Sequence, residues 1–494
     1  MADFIRKKGR SLKILFHICI GICATMLVVA SVLWTQIPNF ATIAMCVILL
    51  VSFIFCLKTA VKKRAGKIGL TIFTLFAVLF SLFGNYCNPY WNSISFKRNV
   101  NYDSKAGDTI LTQKEAKEDL HYAMYYLKKV HPALKNGMPD EIETQYKKIS
   151  EELEQVDEVS VYELSRKIES IFSLLQDAHT MVWAGETEPH YLKDMDALKQ
   201  EGKMIVAVNG ISIENLMEQK KNLYSFETPK REIRLIRADL CSMEGLEYLG
   251  FSAENGITYT CETKDGIRDD VMYTKEDFLP YDVYMAGNQT EEPFVSYHID
   301  EKNSIAILTL NSCGYNAEYK NCLKEMFEEI REKNIQNVAV DLRENGGGNA
   351  QVAYEFIRYL NVDSYNQGEN DFRLGCFNFH SNRTCMENKK YDELLFDGDV
   401  YILTSGKTFS SAMLFAQYIS DNKLGTLIGE APANAPNGYG NITEFKLPNS
   451  KILMQISTMK FKRADSSNAD ELVEPDIACD SADAMDVLYQ NIHS

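Results

Sequence analysis

Four short stretches hold residues able to do chemistry. The first, "TSGKTFSSAMLFAQ" (Thr404 to Gln417), follows "DVYILT", whose alternation predicts a buried strand, and leads into an apolar helix. Ser405, Thr408, Ser410 and Ser411 fall in the turn between them. A serine at a strand-to-helix turn can attack a carbonyl, because the unpaired amides of the first helical turn stand ready to hold an oxyanion. Serine and threonine are also favoured helix caps, so the turn alone is compatible with either role. The second stretch, "SLLQDAHTMV", sets Asp177 and His179 between a helix and a strand. An imidazole titrates close enough to neutrality to take a proton from a hydroxyl. The third, "NVAVDLRENGGGN", ends a buried strand at Asp341 and then runs through Gly346, Gly347 and Gly348 into a helix. Backbone without side chains can approach another group closely and offer it N–H donors. The phosphate-loop pattern GxxxxGK[ST] is absent, which argues against a nucleotide site. The fourth, "DELVEPDI", places Asp470, Glu471 and Glu474 on a loop near the end of the chain, where a carboxylate could orient a histidine.

These stretches need a scaffold, and the patterning supplies one. Residues 91–182 read as a linker followed by helices. Thr112 and Glu115 have the spacing of a capping box, and amphipathic stretches recur to about Leu175. Residues 183–292 read as mostly β, with an Asn-Gly hairpin turn inside "KMIVAVNGISIENL". Residues 293–494 alternate strand, helix and strand, "SIAILTL", "YKNCLKEMFEEIREK", "NVAVDLR", as an α/β domain does.

Residues 1–90 are different. Three uncharged apolar runs, Ile14–Trp34, Phe40–Leu57 and Ile68–Tyr86, approach or exceed the length needed to span a bilayer as helices, about 20 residues. Lysines and arginines cluster before the first run and between the second and third, whereas "TQIPN" between the first two has no charge. By the positive-inside rule the N-terminus is cytoplasmic and the large C-terminal part lies across the membrane. The first 98 residues carry a net charge of +11, which leaves −27 of the chain's −16 total on the remainder. Such an acidic exterior disfavours nucleic acid. No cysteine or histidine cluster has zinc spacing, and no metal or cofactor is expected. The oligomeric state is not encoded in any pattern.

Taken together, the four stretches resemble the tail-specific, C-terminal-processing serine proteases and their tricorn-like relatives, over about residues 107–490. "VAVDLRENGGGN" resembles the family's Asp-Leu-Arg-x-Asn-Gly-Gly signature, "TFSSAMLFAQYISDNKLGTLIGE" its nucleophile segment, and "LVEPDI" its closing Val-x-Pro-Asp motif. The resemblance implies a crotonase-like α/β spiral core and makes Ser410 the nucleophile. It assigns the oxyanion donors to Ser411 and to Gly347 or Gly348. The branch with a Ser–Lys pair carries its lysine after Gly-Glu-Pro-Thr, but "GEAPANAPNGYGN" has none. The tricorn-like branch uses a histidine and a downstream glutamate instead, which "DAHT" matches. That makes His179 the base and Glu474, or Glu471, its orienting carboxylate, with Lys460 and Lys462 as substitutes. "KMIVAVNGISIENL" resembles the end of a PDZ module, although the segment before it is short for a complete one. The expected activity is hydrolysis of extracytoplasmic peptides or protein tails. The rivals are an inactive peptide-binding membrane protein on the same fold and an esterase-type hydrolase.

Overall fold

The computed structural model describes residues 2–32, 39–59, 61–83, 90, 93–94, 104–183, 190–193, 203–220, 222–263, 265–287, 293–374, 377–381, 385–464 and 471–493. Helices α1 (Ala2–Val32), α2 (Asn39–Thr59) and α3 (Arg64–Leu82) are each long and apolar enough to cross a membrane, over Ser11–Val29, Phe40–Thr59 and Arg64–Leu82. They pack through Ala24, Leu27, Leu49 and Ala77 and leave Ile18, Ile22, Val51, Ile72 and Leu79 exposed. An outward apolar face on a helix whose own backbone bonds are satisfied suits lipid. The third helix ends at Leu82; the remainder of its expected run, to Tyr86, falls largely outside the described residues.

A helical subdomain follows, with β1 (Ile110–Thr112), α4 (Gln113–Val130), α5 (Asp140–Glu154), β2 (Glu158–Ser160) and α6 (Val161–Phe172). The capping box forms: the Thr112 hydroxyl accepts the Glu115 N–H, and the Glu115 carboxylate accepts the Thr112 N–H at 2.9 Å. Strands β3 (Met181–Trp183) and β4 (His190–Leu192) lead to an insert. It contains β5 (Met204–Val208), β6 (Ile211–Ser212), α7 (Ile213–Gln219), α8 (Pro229–Leu240), α9 (Met243–Leu249), β7 (Ile257–Glu262), β8 (Arg268–Tyr273), β9 (Phe278–Pro280) and α10 (Tyr281–Gly287). Asn209 and Gly210 take φ of 45° and 78°, as the expected hairpin turn requires. The sheet order is β6-β5-β7-β8. The insert holds more helix than its alternating stretches suggest. Thr228 and Ser242 each cap a helix, by accepting the Arg231 and Gly245 N–H groups, and such caps escape a search for alternation.

The α/β domain runs through β10 (Val295–Asp300), β11 (Ile305–Leu310), α11 (Ala317–Lys333), β12 (Asn337–Asp341), α12 (Gln351–Ile357), β13 (Ser364–Asn366), β14 (Glu369–Leu374), β15 (Phe377–Ser381) and β16 (Cys385–Glu387). It ends with β17 (Asp399–Thr404), α13 (Ser411–Asp421), β18 (Thr426–Gly429), β19 (Tyr439–Lys446), β20 (Leu453–Lys462), β21 (Ile477–Ala478) and α14 (Ala484–Ile492). Its main sheet has the order β10-β11-β12-β17-β18-β21, parallel from β11 onward. Strand periodicity of two sends Val338, Val340 and Ile402 into a core with Phe327, Phe356 and Phe415. Ala339, Tyr401 and Leu403 go to the opposite face, under Ala484 and Leu488 of α14. Because Asp341 pairs with Leu403, and Thr404 with Gly429, the loops after β12, β17 and β18 leave one edge of the sheet together. Sites in parallel sheets form at that carboxyl edge.

A second sheet, β15-β14-β20-β19, receives β3 alongside β20, with Met181 opposite Gln455. Its apolar face, with Phe445, Met454 and Ile456, packs on Leu120, Leu127 and Phe172 of the helical subdomain. This pairing anchors the "DAHT" turn, which runs directly into β3, against the α/β domain.

Candidate active site

Ser410 stands at the corner between β17 and α13 with φ 57° and ψ −122°. A side chain held at positive φ outside glycine costs about 1–3 kcal/mol and persists only where its surroundings enforce it. The enforcement is visible. The Ser410 N–H donates to Asn434 Oδ1 at 2.7 Å, and the Phe409 N–H to the Asn345 carbonyl at 3.0 Å. The Thr408 hydroxyl donates to the Leu342 carbonyl at 2.8 Å and accepts the Ser405 N–H at 2.9 Å, while the Ser405 hydroxyl donates to the Arg343 carbonyl. Thr408 and Ser405 therefore fasten the turn. Ser410 occupies the cap position of α13, yet its side chain makes no capping hydrogen bond.

The glycine loop lies against this corner. Asn345 is fully buried, donates to the Leu310 carbonyl at 2.8 Å, and accepts the Gly347 N–H at 2.8 Å. That amide is thus committed within its own loop. Gly347 instead gives room: a Cβ there would sit 2.7 Å from the Ser410 Cβ and 2.8 Å from the Phe409 carbonyl oxygen, at φ +103°. Gly348 lines the cleft with Ser410 and Ser411, and its carbonyl accepts the Ser411 hydroxyl at 2.8 Å. The Ser411 and Gly348 N–H groups have no partner among the described residues.

His179 lines the same cleft, of about 620 Å³. Its ring is buried and stacks on Phe409, the residue before Ser410, with centroids 4.5 Å apart. Among the described residues neither ring nitrogen makes a hydrogen bond; Nδ1 lies 3.8 Å from Asp177 Oδ1 and 4.0 Å from Glu227 Oε1. Burial pushes the imidazolium below its ordinary pKa, against the pull of Asp177, so the ring rests neutral. Catalytic hydrogen bonds are often long before substrate binds.

The two carboxylates differ. Asp177 is fully buried and accepts the His179 N–H at 2.9 Å, the Thr180 hydroxyl at 2.5 Å and His131 Nε2 at 3.0 Å. Burial is the largest single influence and opposes its ionisation, but the His131 and Thr180 hydrogen bonds and the two neighbouring imidazoles together outweigh it and hold the carboxyl below the usual range. Glu227, from the insert, accepts the Ala178 N–H at 3.2 Å and the Ala435 N–H at 2.7 Å. Burial, with the Asp177 charge beside it, pushes its carboxyl up to about 8. Arg231, one turn into α8, sets its guanidinium carbon 3.9 Å from the centre of the Phe409 ring.

Asp177, His179 and Glu227 bring ligand-type atoms within 4.8 Å of one another, and among the described residues they are the one such group. Asp177 is engaged by three donors and Glu227 by two, so the arrangement fits a held histidine better than an open cation site.

The expected orienting carboxylates lie elsewhere. Glu474 and Glu471 are exposed on the loop before β21, and neither lines the cleft. Asp470 is outside the described residues. The "VEPDI" segment instead closes the sheet: Asp476 accepts the Leu427 N–H at 2.8 Å, and β21 pairs with β18. Lys462 reaches Glu369 at 3.4 Å, Lys460 lies over Tyr439, and neither lines the cleft. Glu227 was not expected from sequence; it stands before a Thr-Pro helix start, in no motif.

A family model, Peptidase family S41, matches residues 304–479. Among solved structures, a CPAF mutant aligns at 12% identity over 77% of this chain and 96% of that one, with a TM-score of 0.56. Mature CPAF complexed with lactacystin aligns at 11% over 77% and 96%, with a TM-score of 0.53. A photosystem II D1 C-terminal processing protease aligns at 12% over 77% and 97%, with a TM-score of 0.45. No curated protein matches the chain. Identities this low speak for the fold.

Proposed function

With a family S41 peptidase domain over residues 304–479, the chain is a serine-type peptidase, and we propose that it works through Ser410 and His179. The observation that carries this assignment is the corner at Ser410: a strained, uncapped serine sharing one cleft with an unpartnered, neutral histidine. In this mechanism the Ser410 Oγ attacks the peptide carbonyl and its proton passes to His179. The Ser411 and Gly348 amides receive the oxyanion. The ionised Asp177 steadies the imidazolium, with Glu227 bracing the turn behind it. His179 then protonates the departing amine, and water hydrolyses the acyl-enzyme by the same path in reverse. The sheet and its helices are consistent with a crotonase-like spiral.

Among the described residues no lysine, arginine, aspartate or glutamate lines the cleft, and Tyr354, Met413, Leu414, Tyr418 and Phe461 form its apolar wall. The substrate residues beside the scissile bond are therefore neutral and apolar, and the −27 net charge acts only at a distance. The three apolar helices suggest membrane insertion. The basic residues flanking them support a cytoplasmic N-terminus and a catalytic domain acting on extracytoplasmic peptides or protein tails. Treatment of the full-length protein in detergent with a fluorophosphonate tests the assignment. One adduct, lost in Ser410→Ala and in His179→Ala, is expected. No adduct on a folded wild-type protein would overturn it.

A further inference from the structure

His131 belongs to no stretch picked out above, yet it is fully buried and hydrogen-bonded to Asp177. It ends α4 and begins the short helical turn Pro132–Leu134. Its tautomer follows from its partners. The Ala133 N–H donates to His131 Nδ1 at 3.2 Å, so that nitrogen carries a lone pair. The ring proton then sits on Nε2 and points at Asp177 Oδ2, 3.0 Å away. The ring packs against Tyr439, which lines the cleft, with centroids 4.7 Å apart, and Arg373 donates to the His131 carbonyl. The histidine is thus held on three sides and donates in one direction only.

We propose that His131 is a positioning residue for the peptidase reaction: as a neutral Nε2–H donor from the helical subdomain, it fixes the Asp177 carboxylate behind His179 without touching substrate. The inference rests on Ser410 and His179 being the reacting pair. Asp177 reaches His179 twice, by accepting its backbone N–H and by facing its Nδ1. The other oxygen, Oδ2, is shared by His131 and Thr180. Without the His131 donor, Oδ2 keeps only the Thr180 hydroxyl, and the charge that must face the imidazolium is held less firmly. A purely structural histidine in this place would contribute packing alone, which an apolar ring or branched chain of similar size would replace.

The test follows the rate of fluorophosphonate labelling of Ser410 in the full-length protein, separated into a maximal rate and a half-saturating probe concentration. His131→Leu is expected to lower the maximal rate about 10–100-fold and leave half-saturation unchanged, the range typical of hydrogen-bond partners that act behind the groups at the reacting centre. His131→Gln, whose amide nitrogen falls where Nε2 stands, should restore most of the rate. His131→Asn, whose nitrogen falls where Nδ1 stands, should not. In an Asp177→Asn background, His131→Leu should cost nothing further, because the two act as one unit. Wild-type labelling in His131→Leu, no advantage of Gln over Asn, or costs that multiply with Asp177→Asn would each overturn the proposal. Should His131→Leu fail to fold, the Gln and Asn pair decides alone. A wild-type protein that does not label would overturn the Ser410 assignment and this inference with it.

Discussion

The two halves of the cleft are built by different physics. The half around Ser410 comes from one domain, where adjacent parallel strands release their loops at one edge, and the Asn434 side chain and neighbouring backbone bonds tie Ser410 in place. The half around His179 comes from three places: His131 and the Asp177–His179 turn from the helical subdomain, Glu227 and Arg231 from the insert, and Gln455 from the second sheet. Gln455 donates to the His179 carbonyl at 2.8 Å. Buried ionisable side chains hold this half together. The first half should therefore respond to changes of shape, and the second to changes of charge and protonation.

The sharpest test of that contrast is on the charged side. Asp177→Asn removes the carboxylate that faces the imidazolium and should cut the Ser410 labelling rate by about 10³-fold or more, as an orienting aspartate does elsewhere. Glu227→Gln should cost less than about tenfold, because a carboxyl pushed up to about 8 is already mostly neutral near pH 7. If the two losses are reversed, Glu227 is the orienting group and Asp177 a structural one.

On the other side the lever is volume. Gly347→Ala places a Cβ 2.7 Å from the Ser410 Cβ at a φ that alanine resists, whereas Gly346→Ala meets nothing within 4 Å. The first should slow labelling by about 10²–10³-fold, comparable to losing an oxyanion donor, and the second should leave it unchanged. Equal effects would mean that the loop yields and that the Ser410 half is softer than its hydrogen bonds imply.

The same division governs what could be read from sequence. A strand, a hydroxyl-rich turn and a helix are contiguous, so the Ser410 corner and the Gly346–Gly348 loop were legible as local patterns. His179 was legible too, because Asp177 and Thr180 stand beside it in the chain. Glu227, Arg231 and His131 were not: each reaches the site only after separate subdomains dock, and no spacing in the chain records that docking. Glu474 shows the reverse case: the motif gives it a role, while this fold leaves it exposed on a loop that closes the sheet edge through Asp476. Capping signals fared well at Thr112 and were overlooked at Thr228 and Ser242, which is why the insert reads as more β than it is.

The smallest effect concerns stability and separates the halves by pH. Glu169 is completely buried, accepts the Val182 and Ser225 N–H groups and the Ser225 hydroxyl, and is pushed up to about 8, chiefly by burial. It ties the strand after His179 to the insert segment before Glu227, which is raised to the same value. A carboxyl whose folded pKa lies above its unfolded one stabilises fully below the unfolded value, and that contribution is lost as pH rises through the folded one. Asp177 is depressed, so its contribution is present above the ordinary aspartate range and lost on acidification. The two raised carboxyls outweigh the opposing groups between about pH 5 and pH 8.5, so stability should fall across that window. The melting temperature of the catalytic domain should then fall by several degrees between about pH 5 and pH 8.5, since each raised group loses at most roughly 1.4 kcal/mol per pH unit. His179, depressed by burial, works the other way: it gains stability as pH rises to the ordinary imidazole value, about 6.5, and offsets part of the fall. Hydrogen exchange across the same pH range localises the loss: amides of β3 and of the segment before α8 should lose protection first, while those of β12 and β17 hold theirs. A uniform loss over both halves would show that the charged half is not the weaker one.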